Sequence, residues 1–380
     1  MQDVRRSATM IFAVAAAVWP TGLAGASSAA AGTHVAAGAR AAALGGTWGT
    51  AIEVPGTAAL NQGGNAQIES VSCGSAGNCS AGGFYTDSAG RWQALVAGET
   101  NGTWHAAIEV PGTAALNQGG RAIVNSVSCV SAGNCSAGGF YQDGSGHYQA
   151  FVAVEANGTW HAAIEVPGTA PLNQRGDAEV SSVSCGSAGN CSAGGLYQDG
   201  SGHFQAFVAG ETNGTWHTAL EVPGTAALNK KGDAGVDSVS CASAGNCSAG
   251  GFYTGGSGLQ QAMVAGETNG TWHSAIAVPG TVALNKNGGA AVNEVSCASA
   301  GNCSAGGTYS DGAGRIQAFV AVETNGAWHS GIEVPGTAAL NQGGDAVINS
   351  VSCASAGECS AGGFYADGFL HGQAFVVSET

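Results

Sequence analysis

The chain is predicted to be all-β and to fold as a six-bladed β-propeller, and three observations predict it. First, the sequence repeats with a period of 56: Trp48, Trp104, Trp160, Trp216, Trp272 and Trp328 are spaced by 56, and so are Pro55, Pro111, Pro167, Pro223, Pro279 and Pro335. Six units fill residues 48–380 without insertion or deletion. Such a period marks one stacked or closed array rather than the two or three domains that length alone suggests. Second, each unit holds four short β-type segments separated by turn signals. Third, no segment keeps a 3.6-residue apolar period over ten residues, so helix content is expected near nil.

The second unit shows the elements in order. Residues 104–110 read as a strand ended by Pro111-Gly112, and a long loop follows over 113–120. Residues 123–129 are rich in β-branched side chains, and a five-residue turn over 130–134 leads into a strand at 135–141. Asp143-Gly144-Ser145-Gly146 is the next turn, and 149–155 is the fourth strand. Asn157-Gly158 then predicts a type I′ turn, because both central residues of that turn need positive φ. Val124 and Val127, with their copies, are apolar and three apart, which predicts burial on both faces of the strand. Pairing of residues 373–379 with 48–54 would close the ring and remove the open edges.

The first 26 residues read as a secretory signal. Arg5 and Arg6 give it a positive start, residues 10–19 are apolar, and Ala24-Gly25-Ala26 is a small-residue cleavage site. That apolar run is too short to cross a bilayer. An Ala/Gly-rich spacer over 27–47 precedes the repeats. A secreted protein with no membrane span is expected, and a monomer.

Composition narrows the function. The chain carries 65 Gly and 35 charged residues, with 25 acidic against 10 basic and a net charge of −15. The ten Lys and Arg are scattered along the sequence, so no nucleic-acid partner is expected. Twelve Cys fall in six pairs, each pair separated by five residues. Cys129 and Cys135 bracket a hairpin turn, which puts them at bridging distance on adjacent strands. The same reading pairs Cys73 with Cys79, Cys185 with Cys191, Cys241 with Cys247, Cys297 with Cys303, and Cys353 with Cys359. In the chain-entropy picture each such bridge stabilises by roughly 2 kcal/mol. Zinc ligation would need a second pair nearby, so no metal or other cofactor is expected.

Two resemblances follow from these motifs. Ser126-Val127-Ser128-Cys129, Ser131, Cys135, Ala137 and Gly138, followed by Glu155, Asn157-Gly158 and Trp160, resemble the repeats of a group of secreted actinobacterial proteins. Gly138-Gly139 and the Asp143 turn resemble, more distantly, a kelch blade. Both resemblances imply a propeller-like fold, and neither carries an activity or site residues to this chain.

The candidate site is the face from which the long loop and the Asp143 turn should both emerge. Tyr recurs there in every unit, as Tyr85, Tyr141, Tyr197, Tyr253, Tyr309 and Tyr365, and the turn carries Asp87, Asp143, Asp199, Asp311 and Asp367, with Asn117 in the loop. These residue types bind sugar hydroxyls and sugar faces. They point to a multivalent, non-enzymatic module for an extracellular glycan or cell-wall polymer. A protein-binding or structural surface role is the alternative. A hydrolase is less expected, because six similar units offer no asymmetric acid–base pair and no catalytic residues stand out. The six Trp are expected to pack between blades. His105, His161, His217, His273 and His329 should be exposed, and Glu53, Glu109, Glu165, Glu221 and Glu333 solvated. Gly368-Phe369-Leu370-His371 breaks the symmetry and is a candidate for a distinct contact.

Overall fold

The computed structural model describes residues 49–379. The expected signal, the whole spacer and Trp48 lie outside the described residues. The chain is a β-propeller of six antiparallel blades with one radial pattern. In blade two the inner strand is Ala122–Ser131, the second Asn134–Gln142 and the third Tyr148–Ala156. The outer strand, predicted as continuous, is two stubs, Thr159–Trp160 and Ile164–Glu165, both paired with the third strand. The ladder is interrupted between them because the chain turns to its neighbour there: Ala163 N–H donates to the Pro111 carbonyl at 2.7 Å.

Local sequence explains the connections. Asn157 and Gly158 have φ of 51° and 78°, the type I′ geometry the dipeptide predicts. The turn between the inner and second strands is tighter than expected, since Ser131 already pairs with Asn134. The long loop contains one helical turn, Thr113–Leu116, where near-zero helix was expected. Gly112 at φ 83° opens it, and Thr113 Oγ1 donates to the Val110 carbonyl at 2.7 Å. All six predicted disulfides form, and Cys129 and Cys135 are direct partners in the ladder.

The blades pack through glycine holes filled by the next blade. A Cβ on Gly138 would stand 2.5 Å from Val180 Cγ1 and 2.7 Å from Val183 Cγ2. These valines therefore share one face, which corrects the expectation that the three-residue spacing sets them on opposite faces. A register shift between Val124 and Ser126 in blade two, repeated between Val180 and Ser182, inserts one extra residue and reverses the alternation. Burial of both sheet faces still holds, because Ala150, Phe151 and Val152 are all fully buried.

Polar bonds fix each junction. Val127 N–H donates to Ser70 Oγ at 3.0 Å and Cys129 N–H to Ser72 Oγ at 2.9 Å. Ser80 Oγ donates to the buried Glu155 carboxylate at 2.9 Å. Desolvation pushes the Glu155 carboxyl upward, and the Ser80 hydrogen bond opposes this.

Among the described residues, the part of the predicted pairing that would join 373–379 to 52–54 is not made. Among the described residues the last blade has three strands, Ala346–Ser355, Glu358–Ala366 and Gly372–Ser378, and the third pairs only with the second. Ile52–Val54 form no strand. That segment is committed elsewhere: the Val54 carbonyl accepts from Thr57 N–H and Oγ1, and the Pro55 carbonyl accepts from Ala107 N–H.

Candidate functional site

The long loop and the turn between second and third strands do emerge together. Gly119 N–H donates to the Gln142 carbonyl at 2.8 Å, and Gln142 N–H to the Arg121 carbonyl at 2.7 Å. Most of the residues expected to bind ligand from this face are nevertheless spent internally. Tyr85, Tyr141, Tyr197, Tyr253 and Tyr309 are buried, and only Tyr365 is half-buried. The hydroxyls of Tyr85, Tyr141, Tyr197 and Tyr309 donate to Glu109, Glu165, Glu221 and Glu333 at 2.9–3.3 Å. These four glutamates are thus half-buried anchors, not the solvated side chains expected. Burial and the adjacent Glu165 carboxylate raise the Tyr141 phenol well above its usual range.

The turn aspartates hold their own turns. Asp143 Oδ1 accepts from Ser145 N–H at 2.8 Å and His147 N–H at 3.0 Å, and its Oδ2 accepts from Gln149 Nε2 at 3.0 Å. Asp87, Asp199, Asp311 and Asp367 repeat the pattern. Burial works to raise the Asp143 carboxyl, yet these donors outweigh it and hold it below the ordinary range. Asn117 is buried and donates from Nδ2 to the Trp92 carbonyl at 2.9 Å and to Gln93 Oε1 at 2.8 Å. It ties one blade's loop to the blade before.

What the face presents outward differs from blade to blade. The last turn residue is Arg91, His147, His203, Leu259, Arg315 or His371, and the residue after it is Trp92, Tyr148, Phe204, Gln260, Ile316 or Gly372. Blades one to three therefore pair an arginine or a histidine with an aromatic side chain. Arg121 links two of them: its guanidinium lies 4.5 Å from the Trp92 ring centroid, and Nη1 donates to Tyr148 Oη at 3.2 Å. Trp92 in turn stacks on Phe84 at 4.5 Å. The cation is thus held in place by aromatic rings while its side chain stays exposed.

The sequence shows basic residues as scattered, and folding collects them. Among the described residues every Lys and Arg lies in these loops and turns: Arg91 and Arg315 in turns between second and third strands, and Arg121, Arg175, Lys230, Lys231 and Lys286 in long loops. The useful signal was departure from the repeat, because positions 91 and 92 vary where the Tyr and Asp positions hardly do. The remaining expectations divide. Trp160, Trp216 and Trp272 are buried in the core as expected, and His105, His161, His217, His273 and His329 are exposed. Among the described residues no group of three His, Cys, Asp or Glu is placed to hold a metal ion.

No family model and no curated protein matches the sequence. Solved structures that resemble it do so at low identity. The Hadza microbial sialidase Hz136 is 10% identical with a TM-score of 0.41 over 82% of this chain, which spans 65% of that protein's length. YCF48 from Cyanidioschyzon merolae is 12% identical with a TM-score of 0.43, covering 82% of this chain and 85% of that one. The fucose-specific lectin from Aleuria aurantia is 10% identical with a TM-score of 0.38, covering 81% of this chain and 90% of that one.

Proposed function

We propose that the chain is a secreted, non-enzymatic module that binds an extracellular glycan through the loop face of blades one to three. The observation that carries this reading is the run Arg91-Trp92, His147-Tyr148 and His203-Phe204 on adjacent blades, with Arg121 held between the first two aromatics. Aromatic rings suit the apolar faces of sugars, and a guanidinium held in advance loses little entropy when it meets hydroxyls or a sugar carboxylate. The six hairpin disulfides suit an oxidising compartment. Binding without turnover is supported by the turn aspartates, whose oxygens are already engaged by backbone amides and glutamine.

Calorimetric titration with neutral and uronic-acid oligosaccharides tests the reading. Binding is expected to weaken about tenfold in Trp92→Ala, the loss of a single good contact, and to persist in Tyr141→Phe. Unchanged binding in Trp92→Ala and Tyr148→Ala, or cleavage of the sugar, would overturn it. A protein partner is the second reading, favoured by the turn of blade six. Phe369 and Leu370 are 82% and 75% exposed, and Leu370 sits at φ 64° where the other five blades have glycine. An exposed apolar pair held in a strained backbone is a contact in waiting. Capture of a polypeptide lost in Phe369→Ser, with no response to any sugar, would favour it.

A further inference from the structure

The two ends of the array carry the two halves of a junction that the interior makes five times. Inside, each second-strand glycine receives two apolar side chains of the next blade: Gly82 takes Val124 and Val127, and Gly306 takes Ile348 and Val351. Each second-strand serine donates to a glutamate of the next blade, from Ser80 with Glu155 to Ser304 with Glu379, at 2.9–3.1 Å. Inner-strand serines accept the next blade's amides, as Ser240 does from Cys297 and Ser296 from Cys353.

At the last blade the donor half stands open. Among the described residues, Gly362 has no side chain of another blade against it, and Ser350, Ser352 and Ser360 are exposed. Ser360 Oγ meets, among the described residues, only Ser378 Oγ, at 3.0 Å. Val376 is 87% exposed, whereas its equivalents Val96, Val152, Val208 and Val264 are at 0–1% and Val320 is half-buried. At the first blade the acceptor half stands open. Val71 is 57% exposed against 2–7% for Val127, Val183, Val239, Val295 and Val351, and among the described residues Glu99 lacks the serine that its copies bind. A shallow depression bounded by Val54, Asn61, Ile68 and Leu95 lies on the same face.

We propose that the last blade's face docks the first blade's face of a second copy of this chain, head to tail. Register follows from the repeat: Ile68 and Val71 enter the hole at Gly362, Ser360 donates to Glu99, and Ser350 and Ser352 accept from the amides of Val71 and Cys73. The occupant is a second copy because both halves stand open in one molecule, and because the five built junctions define a mate of this sequence. Such a junction is heterologous, so it extends in one direction until it is capped or closes into a ring.

Sedimentation over a wide concentration range tests this, using Val71→Arg to block the first face and Val376→Arg to block the last. The parent protein should associate with rising concentration, and each variant alone should stay monomeric and melt as the parent does at dilutions where the parent is itself monomeric, the condition for every melting comparison here. An equimolar mixture of the two variants should form dimers and stop there. Concentration-independent monomers of the parent, a mixture that stays monomeric, or variants that melt at lower temperature because the two faces join within one chain would each overturn the proposal. Sugar binding plays no part in the readout, so a failure here is separate from a failure of the glycan reading.

Discussion

Asp237 offers a quantitative test of how the inner strands meet. It stands at the position where the strand register shifts, occupied in other blades by Asn125 and Asn293. Those asparagines donate to the next blade, Asn125 Nδ2 to the Val180 carbonyl at 2.9 Å and Asn293 Nδ2 to the Ile348 carbonyl at 2.8 Å. An ionised aspartate has no donor for the corresponding carbonyl, that of Val292. Burial pushes the Asp237 carboxyl up to about 7, and the charge on Glu179 adds to the rise. Its unfolded value is near 3.9, so the folded state binds the extra proton between these limits. The fold is therefore least burdened below about pH 4, loses stability as pH rises through the interval, and stays at its lower level above about pH 7. Three pKa units set a ceiling of about 4 kcal/mol, and the partial solvent contact of the side chain lowers the expected value to about 2. Asp237→Asn removes the burden and supplies the missing donor. Urea unfolding should show the variant more stable by about 3 kcal/mol at pH 8, with the difference shrinking toward pH 4 to the value of one hydrogen bond, about 1 kcal/mol. A difference independent of pH, or a variant less stable at pH 8, would refute the reasoning.

Other substitutions probe the junctions and the turns. Gly138→Ala drives a methyl into Val180 and Val183 and should cost about 1–3 kcal/mol. Gly362→Ala, whose nearest atom would be 3.6 Å away, should change monomer stability by less than about 0.5 kcal/mol in the same denaturation assay. Leu370→Gly returns the residue the other blades use at this positive φ, and should raise stability by about 1 kcal/mol by calorimetry.

The sequence showed the fold through features that lie close together along the chain. The 56-residue period, the Cys129–Cys135 hairpin and the Asn157-Gly158 turn each depend on neighbours a few residues apart, and each is found as read. Local pattern does not decide the outcome where one extra residue or a distant partner does. The extra residue at Asn125 puts Val124 and Val127 on one face, which strict alternation forbids. Tyr141 looked like a surface residue until Glu165, 24 positions on, proved to anchor it inside. The Ser80–Glu155 bond spans 75 residues, and its partners are ordinary residue types at unremarkable positions. For the site, recurrence misleads: the Tyr of all six blades and the Asp of five serve the folding of their own blades, while the variable pair at positions 91 and 92 faces outward.

A crystal structure with uronic-acid oligosaccharides diffused into the lattice tests the glycan reading most directly. A sugar is expected between Trp92 and Tyr148, with its carboxylate or hydroxyls on the Arg121 guanidinium and no cleaved product. A sugar bound on the opposite face beside His105 and its copies, or an empty Arg121 when the same sugar binds in solution, would contradict it.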